Sequence, residues 1–236
     1  MEELAVGRVM RVITASPGYQ KIVAPSDDDL TILLGNQPRT GGLDVIAQGR
    51  KVMVRDGNLG GFLLKAGGFG PRFDVLNTRS DVSKGEPRDV FGVTGKFGAV
   101  VVDRSRWTGV HGAQERTHGD VSQGYDGCDV DLFLIRRSTI KTAYQALMAK
   151  ILNDGRGIRR LVLQDMNIDD EPTLRVQQSV AVLLMGCQKH PASIELRNAW
   201  INWPGREWHR IAKGDRVTVK GEWNVGLPPG GDFCPA

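Results

Sequence analysis

Cysteine is scarce: Cys128, Cys187 and Cys234 are the only three in 236 residues, widely spaced and without a C-x-x-C pair. That excludes a disulfide framework and a zinc ribbon, and leaves reduced, buried thiols in a cytosolic fold as the expectation. Long apolar runs are missing too. The stretch Val180–Met185 falls far short of the roughly 20 residues that span a bilayer, so no membrane partner is expected. The chain starts Met1-Glu2-Glu3-Leu4, without the basic-then-apolar pattern of a signal peptide, which reads as a soluble, uncleaved protein. Charge of one sign is not concentrated either. Lysine and arginine number 31 against 27 acids, a net +4, and the basic residues are dispersed rather than gathered on one stripe. Arginine outnumbers lysine 21 to 10, a bias toward the planar donor that suits extensive protein contact and phosphate contact alike.

What the chain has in excess is glycine, 30 residues, about 13 per cent against a usual share of about 7. The glycines punctuate short β-prone segments such as Leu30–Leu34, Lys51–Arg55 and Phe62–Lys65. Short strands closed by turn residues predict a mainly β protein, an antiparallel sandwich or curved sheet. The glycine period is irregular, which argues against an internal repeat or a solenoid. Gly95-Lys96 between Val90–Thr94 and Phe97–Asp103 reads as a two-residue hairpin turn, and the stretch from Gly67 to Arg88 as an irregular surface excursion.

Three regions are expected. Residues 1–103 form a β-rich module, 104–127 a long glycine-rich loop, and 128–236 a sheet with one packed helix over 139–152. The helix rests on Ile140, Ala143, Tyr144, Leu147, Met148, Ile151 and Leu152, which follow the amphipathic i, i+3, i+4, i+7 template behind a possible Ser138 cap. The run Leu174–Met185 reads as a central strand covered on both faces.

Chemistry-bearing residues are few. Asp129 and Asp131 on one strand face can hold Mg²⁺ against phosphate oxygens, so a metal-dependent nucleotidyl or phosphotransfer enzyme is one alternative. The stretch Ser122–Leu132 resembles nucleotidyltransferases in its Asp-x-Asp, but it lacks their Gly-Ser turn and third carboxylate. His111, His118, Asp120 and Cys128 match no closed zinc spacing, and Ser122 and Ser138 lack a nucleophile-elbow context, so no metal, cofactor or catalytic residue is assigned. Four tryptophans, Trp200, Trp203, Trp208 and Trp223, crowd the C-terminal end. They suit interface anchors, a core, or a base-stacking platform, the last of which makes a nucleic-acid-binding β-barrel module a further alternative. In the long loop, Trp107 and Tyr125 are candidate interface anchors, with Arg104, Arg106 and Arg116 pairing across the junction; Trp200, Trp203 and Trp208 join them.

From Val130 to Val225, the order of strand, helix Thr139–Leu152 and a run of strands resembles tail-tube, neck and tail-terminator subunits of tailed bacteriophages. The resemblance implies a non-enzymatic structural virion protein assembled in the host cytoplasm. Its partners would be a homo-oligomeric ring and other virion proteins, with possible contact to DNA passing through a channel.

Overall fold

In the computed structural model, residues 9–84, 86–112, 118–152, 154–174, 179–185, 190–205, 207–211 and 215–234 are described. They contain eighteen strands, one 3₁₀ turn at Pro172–Leu174 and no α-helix. The strands are β1 (Met10–Thr14), β2 (Gln20–Val23), β3 (Asp29–Gly35), β4 (Leu43–Gln48), β5 (Val52–Asn58), β6 (Leu64–Asp81), β7 (Phe91–Val93), β8 (Lys96–Asp103) and β9 (Arg106–Val110). There follow β10 (Asp120–Gly124), β11 (Asp129–Arg136), β12 (Thr139–Thr142), β13 (Gln145–Lys150), β14 (Arg160–Asp170), β15 (Val182–Met185), β16 (Ala192–Asn202), β17 (His209–Ile211) and β18 (Val217–Val225).

Every pairing between these strands is parallel, and each strand pairs with one a full turn of chain away. The chain is therefore a coil with three faces. Face A stacks β1, β3, β5, the middle of β6, β8, β11 and the first parts of β14, β16 and β18. Face B stacks β2, β4, the start of β6, β7, β10, β13, β15 and β17. Face C stacks the end of β6, β9, β12 and the ends of β14, β16 and β18. Because β6 and β14 both bend around the A/C corner and pair on either side of it, the pairings β6–β8–β11–β14–β12–β9 close into a six-stranded parallel barrel, with the remaining strands stacked outside it.

Side chains alternate along each strand, so one row per strand points into the coil and stacks on its equivalents above and below. On face A that row is Leu30, Val52, Phe73, Val100, Phe133, Leu161 and Ile194, all buried. Phe73 lies edge-on to Phe97 with ring centroids 5.6 Å apart, and Phe91 touches both Phe133 and Trp107. Burying such rings contributes about 1.5–3 kcal/mol each relative to exposure.

The corner between faces A and C repeats one conformation. Asp56, Asn77, Arg104, Arg137, Asp165 and Asn198 all have φ between 47° and 54°, and they follow register-paired residues on face A. The left-handed conformation turns the chain sharply and points the next side chain inward. That next position holds Thr78, Ser105 and Ser138, whose hydroxyls form a buried staircase: Thr78 Oγ1 donates to Ser105 Oγ at 3.0 Å, and Ser105 N to Ser138 Oγ at 3.1 Å. Unmade polar contacts are costly inside a core, so the staircase satisfies the corner from within.

Several expectations are corrected. The sheet is parallel and not an antiparallel sandwich, because the chain turns corners where hairpins were expected. Thus β7 and β8 flank Gly95 without pairing to each other; each pairs with strands of neighbouring coils. The helix over 139–152 is β12, a corner at Ala143–Tyr144, and β13. Two period-2 strands whose phase shifts at a corner bury Ile140, Ala143, Tyr144, Leu147 and Ile151, which imitates a helical stripe; Gln145 and Ala149, outside that stripe, are buried as well. The segment 104–127 is not a structureless loop, since it holds β9 and β10, and its residues 113–117 lie outside the described ones. Nor is the stretch after Gly67 irregular: β6 runs through it to Asp81, and face A continues unbroken from β8 to β11 across the expected module boundary. Of the Leu174–Met185 strand only Val182–Met185 is β-structure, with 175–178 outside the described residues. The solenoid set aside on the irregular period is the architecture found.

Candidate assembly surfaces

The A/C corner carries a column of six polar side chains, one on each coil from β5 to β16. Neighbours in the column are tied together. Asn77 Nδ2 donates to Asp56 Oδ1 at 2.8 Å, and Asn198 Nδ2 to Asp165 Oδ1 at 2.9 Å. Arg104 sits between these pairs, exposed; against its partial burial the Asp56 carboxyl is lowered by the Asn77 hydrogen bond and by Arg55, with Arg104 adding to them. Arg136 and Arg137 both bind the buried Asp103, Arg136 Nη2 at 3.0 Å and Arg137 Nε at 2.8 Å. Burial alone would raise the Asp103 carboxyl, but the two guanidiniums outweigh it and hold the group below the usual carboxylate range.

On face C the C-terminal segment folds back across three coils. Asp232 meets Arg106 Nη1 at 2.5 Å, Lys141 Nζ at 3.1 Å and Asn167 Nδ2 at 3.1 Å. Cys234 N donates to Thr139 Oγ1 at 3.1 Å, and Arg106 Nη1 to the Cys234 carbonyl at 3.0 Å. Arg106 is thereby engaged within its own chain.

The remaining interface candidates divide. Trp107 is fully buried, and its Nε1 donates to Thr78 Oγ1 at 3.1 Å, so it belongs to the core and is not a surface anchor. Trp203 and Trp208 are buried too; Trp203 Nε1 donates to the Ser179 carbonyl at 3.2 Å. Trp200 is half-buried on face C, its Nε1 donating to Asn198 Oδ1 at 3.3 Å. Tyr125 is half-buried, donates its hydroxyl to Asp89, and lies under Lys65 at 5.7 Å from the ring centroid. Arg116 lies outside the described residues. The candidates are therefore not brought together into one surface.

The acidic pair weighed for metal chemistry is occupied by protein. Arg159 Nη1 contacts Asp129 Oδ1 at 2.5 Å, Arg159 Nε donates to Asp131 Oδ1 at 2.9 Å, and Lys96 approaches Asp129 at 3.7 Å. This fork neutralises both carboxylates where Mg²⁺ would have to sit. Among the described residues no three of His, Cys, Asp and Glu converge as a metal site. His111 Nδ1 lies 3.0 Å from the Gly109 carbonyl, His118 packs on Tyr144 with centroids 5.8 Å apart, and Cys128 is buried with its thiol pushed up to about 12 by burial and by Asp129. Asp120 is enclosed near Asp89, and burial followed by the neighbouring charge raises it to about 8.

Residue-type reasoning missed the two ends of the coil. At the first coil Val9, Met10, Val12, Tyr19 and Val23 are exposed; at the last, Trp223, Val225 and Leu227 are. Among the described residues β1 pairs only with β3, and β18 only with β16. Terminal position on a coil leaves one strand edge open, and only the coil architecture reveals which strands are terminal. No protein-family model, curated protein or solved structure matches the chain.

Proposed function

We propose that the protein is a structural, non-enzymatic component of a bacteriophage virion, in the tail or neck. It works by self-assembly into a ring and by contact with neighbouring virion proteins, and is assembled in the host cytoplasm. The observation that carries the assembly part of this reading is the A/C corner column, in which exposed Arg104 and Arg137 sit side by side between the pairs Asp56–Asn77 and Asp165–Asn198, from β5 to β16. A straight column bearing both signs of charge suits lateral contact with a neighbour's opposite face, and such heterologous contact closes into a ring when its rotation permits. Arginine on that edge also suits phosphate, so DNA threading the ring is part of the proposal. The virion setting rests on the run of strands in the resemblance set out from the sequence; the helix that the resemblance also invoked is β12 and β13.

The test is sedimentation and electron microscopy of the purified protein beside the Arg104→Glu variant. Closed rings are expected for the natural sequence and smaller species for the variant, at unchanged melting temperature. Protein that forms no ring at any concentration would overturn the reading.

A further inference from the structure

We infer that the last coil is a docking end whose partner is the same end of a second copy, related by a twofold axis through the Gly221 corner. This rests on the reading of the protein as self-assembling, and names a second contact beside the lateral one.

The starting point is the open edge. The strand β18 pairs with β16 on one side: Ala192 with Val217, Ile194 with Val219, Ala199 with Trp223 and Ile201 with Val225. Its own inward row, Val217, Val219, Trp223 and Val225, thus continues the rows of the core, yet Val217 and Val219 are only half-buried, Trp223 is 40 % exposed and Val225 81 %. An uncovered core row beside an unpaired strand edge is a template for another strand.

What selects a second copy is the pattern of β18 itself. Val217-Thr-Val-Lys-Gly-Glu-Trp-Asn-Val225 has the same apolar–polar pattern from both ends, with opposite charges at Lys220 and Glu222. An antiparallel pairing of two copies centred on Gly221 sets Lys220 opposite Glu222 of the second copy, and Glu222 opposite its Lys220. It also sets Val219 opposite Trp223, Val217 opposite Val225 and Thr218 opposite Asn224. Opposite charges and apolar pairs fall in register together, and both charge pairs are made twice.

The corner fits the same operation. Gly221 has φ +82°, and a Cβ there would lie 2.1 Å from the Leu196 carbonyl oxygen, so β18 bends at this residue from face A to face C. A twofold axis through the bend exchanges the two limbs. The face A limb of one copy, Val217–Lys220, then meets the face C limb of the other, Glu222–Val225, while β17 on face B falls opposite itself reversed. The opposite end is finished differently: Arg11 occupies the inward row above Leu30 and is held by Asp28 at 2.6 Å, an inward-pointing charge that discourages stacking there. The contact is therefore isologous and stops at two copies.

The experiment uses full-length protein carrying Arg104→Glu, which removes the lateral contact and isolates the end contact, followed by sedimentation over a concentration series. A monomer–dimer equilibrium is expected. Adding Lys220→Glu sets two carboxylates opposite each other twice, and weakens the dimer about tenfold; adding Glu222→Lys to that variant restores it to within about threefold. Both side chains are exposed, and a thermal melt checks that folding is unchanged. A protein that stays monomeric, or a charge reversal without restoration, overturns the twofold contact. Rings from the natural sequence without a dimer step in the Arg104→Glu protein sink this inference alone. A dimer without rings sinks the ring and leaves this contact standing.

Discussion

At the first coil the inward row of face A ends in Arg11, whose guanidinium is tied to Asp28; at the last coil the equivalent row ends in Val217 and Val219, followed around the corner by Trp223 and Val225. Between them the same row is wholly apolar and covered. Among the described residues backbone geometry treats the ends alike, since each leaves a strand edge unpaired. Side-chain choice separates them within this row: a charge held by Asp28 ends it at the first coil, and valine leaves it apolar at the last. In a coil, sequence governs association through the terminal rows, whereas the rows between them govern stability.

The largest effect expected from this contrast is on stability. Phe133→Ala, in the middle of the face A row, costs about 3–5 kcal/mol, the usual range for deleting a buried ring. Val219→Ala, in the equivalent row of the last coil, costs under about 1 kcal/mol, because Val219 is already half open to water. Chemical denaturation of both variants checks the difference; equal losses would mean the last coil is as enclosed as the middle.

A second effect, seen only as pH changes, comes from Asp120, buried on face B between the two ends. Burial and the Asp89 charge raise it from 3.8 to about 8. A group with a raised folded pKa binds its proton more tightly when folded, so its contribution is full below about pH 4 and is lost as pH rises to about 8. The melting temperature should therefore decline across that window, and Asp120→Asn should flatten the decline. An unchanged slope in the variant would place the titration elsewhere.

The smallest expected effect on stability, yet the sharpest on association, is Arg11→Leu. Melting should shift by about 1 kcal/mol equivalent, since Arg11 itself is mostly exposed while the buried Asp28 loses its partner. Larger species should appear in sedimentation as the first coil gains an apolar row of its own. A variant with the sedimentation profile of the natural sequence would show that Arg11 does not guard that end.

Much of the strand content was legible. Leu30–Leu34, Phe97–Asp103 and Val130–Ile135 all fall inside strands, because local alternation and β-branched composition specify extended backbone. Pairing direction was not legible, because it depends on where the chain goes after each strand. The repeat was hidden by uneven coils. Along face A, Leu30, Val52, Phe73, Val100, Phe133, Leu161, Ile194 and Val219 are equivalents, spaced 22, 21, 27, 33, 28, 33 and 25 residues apart. Corners and loops absorb the variation at little cost, so no fixed period survives in the sequence. The tryptophans show the same limit at the candidate site: composition placed Trp203 and Trp208 equally well in a core or at an interface, and burial decides for the core.

The seating of Asp232 on Arg106, Lys141 and Asn167 has a mechanical meaning. A coil pulled by its end ordinarily peels, one rung at a time, starting from the last. Here Asp232, which follows β18, is fastened to face C at β9, β12 and β14, two to four rungs below β18. Force applied at Cys234 is delivered first to that clasp, across three rungs at once, and the final coil carries no load until the clasp has let go.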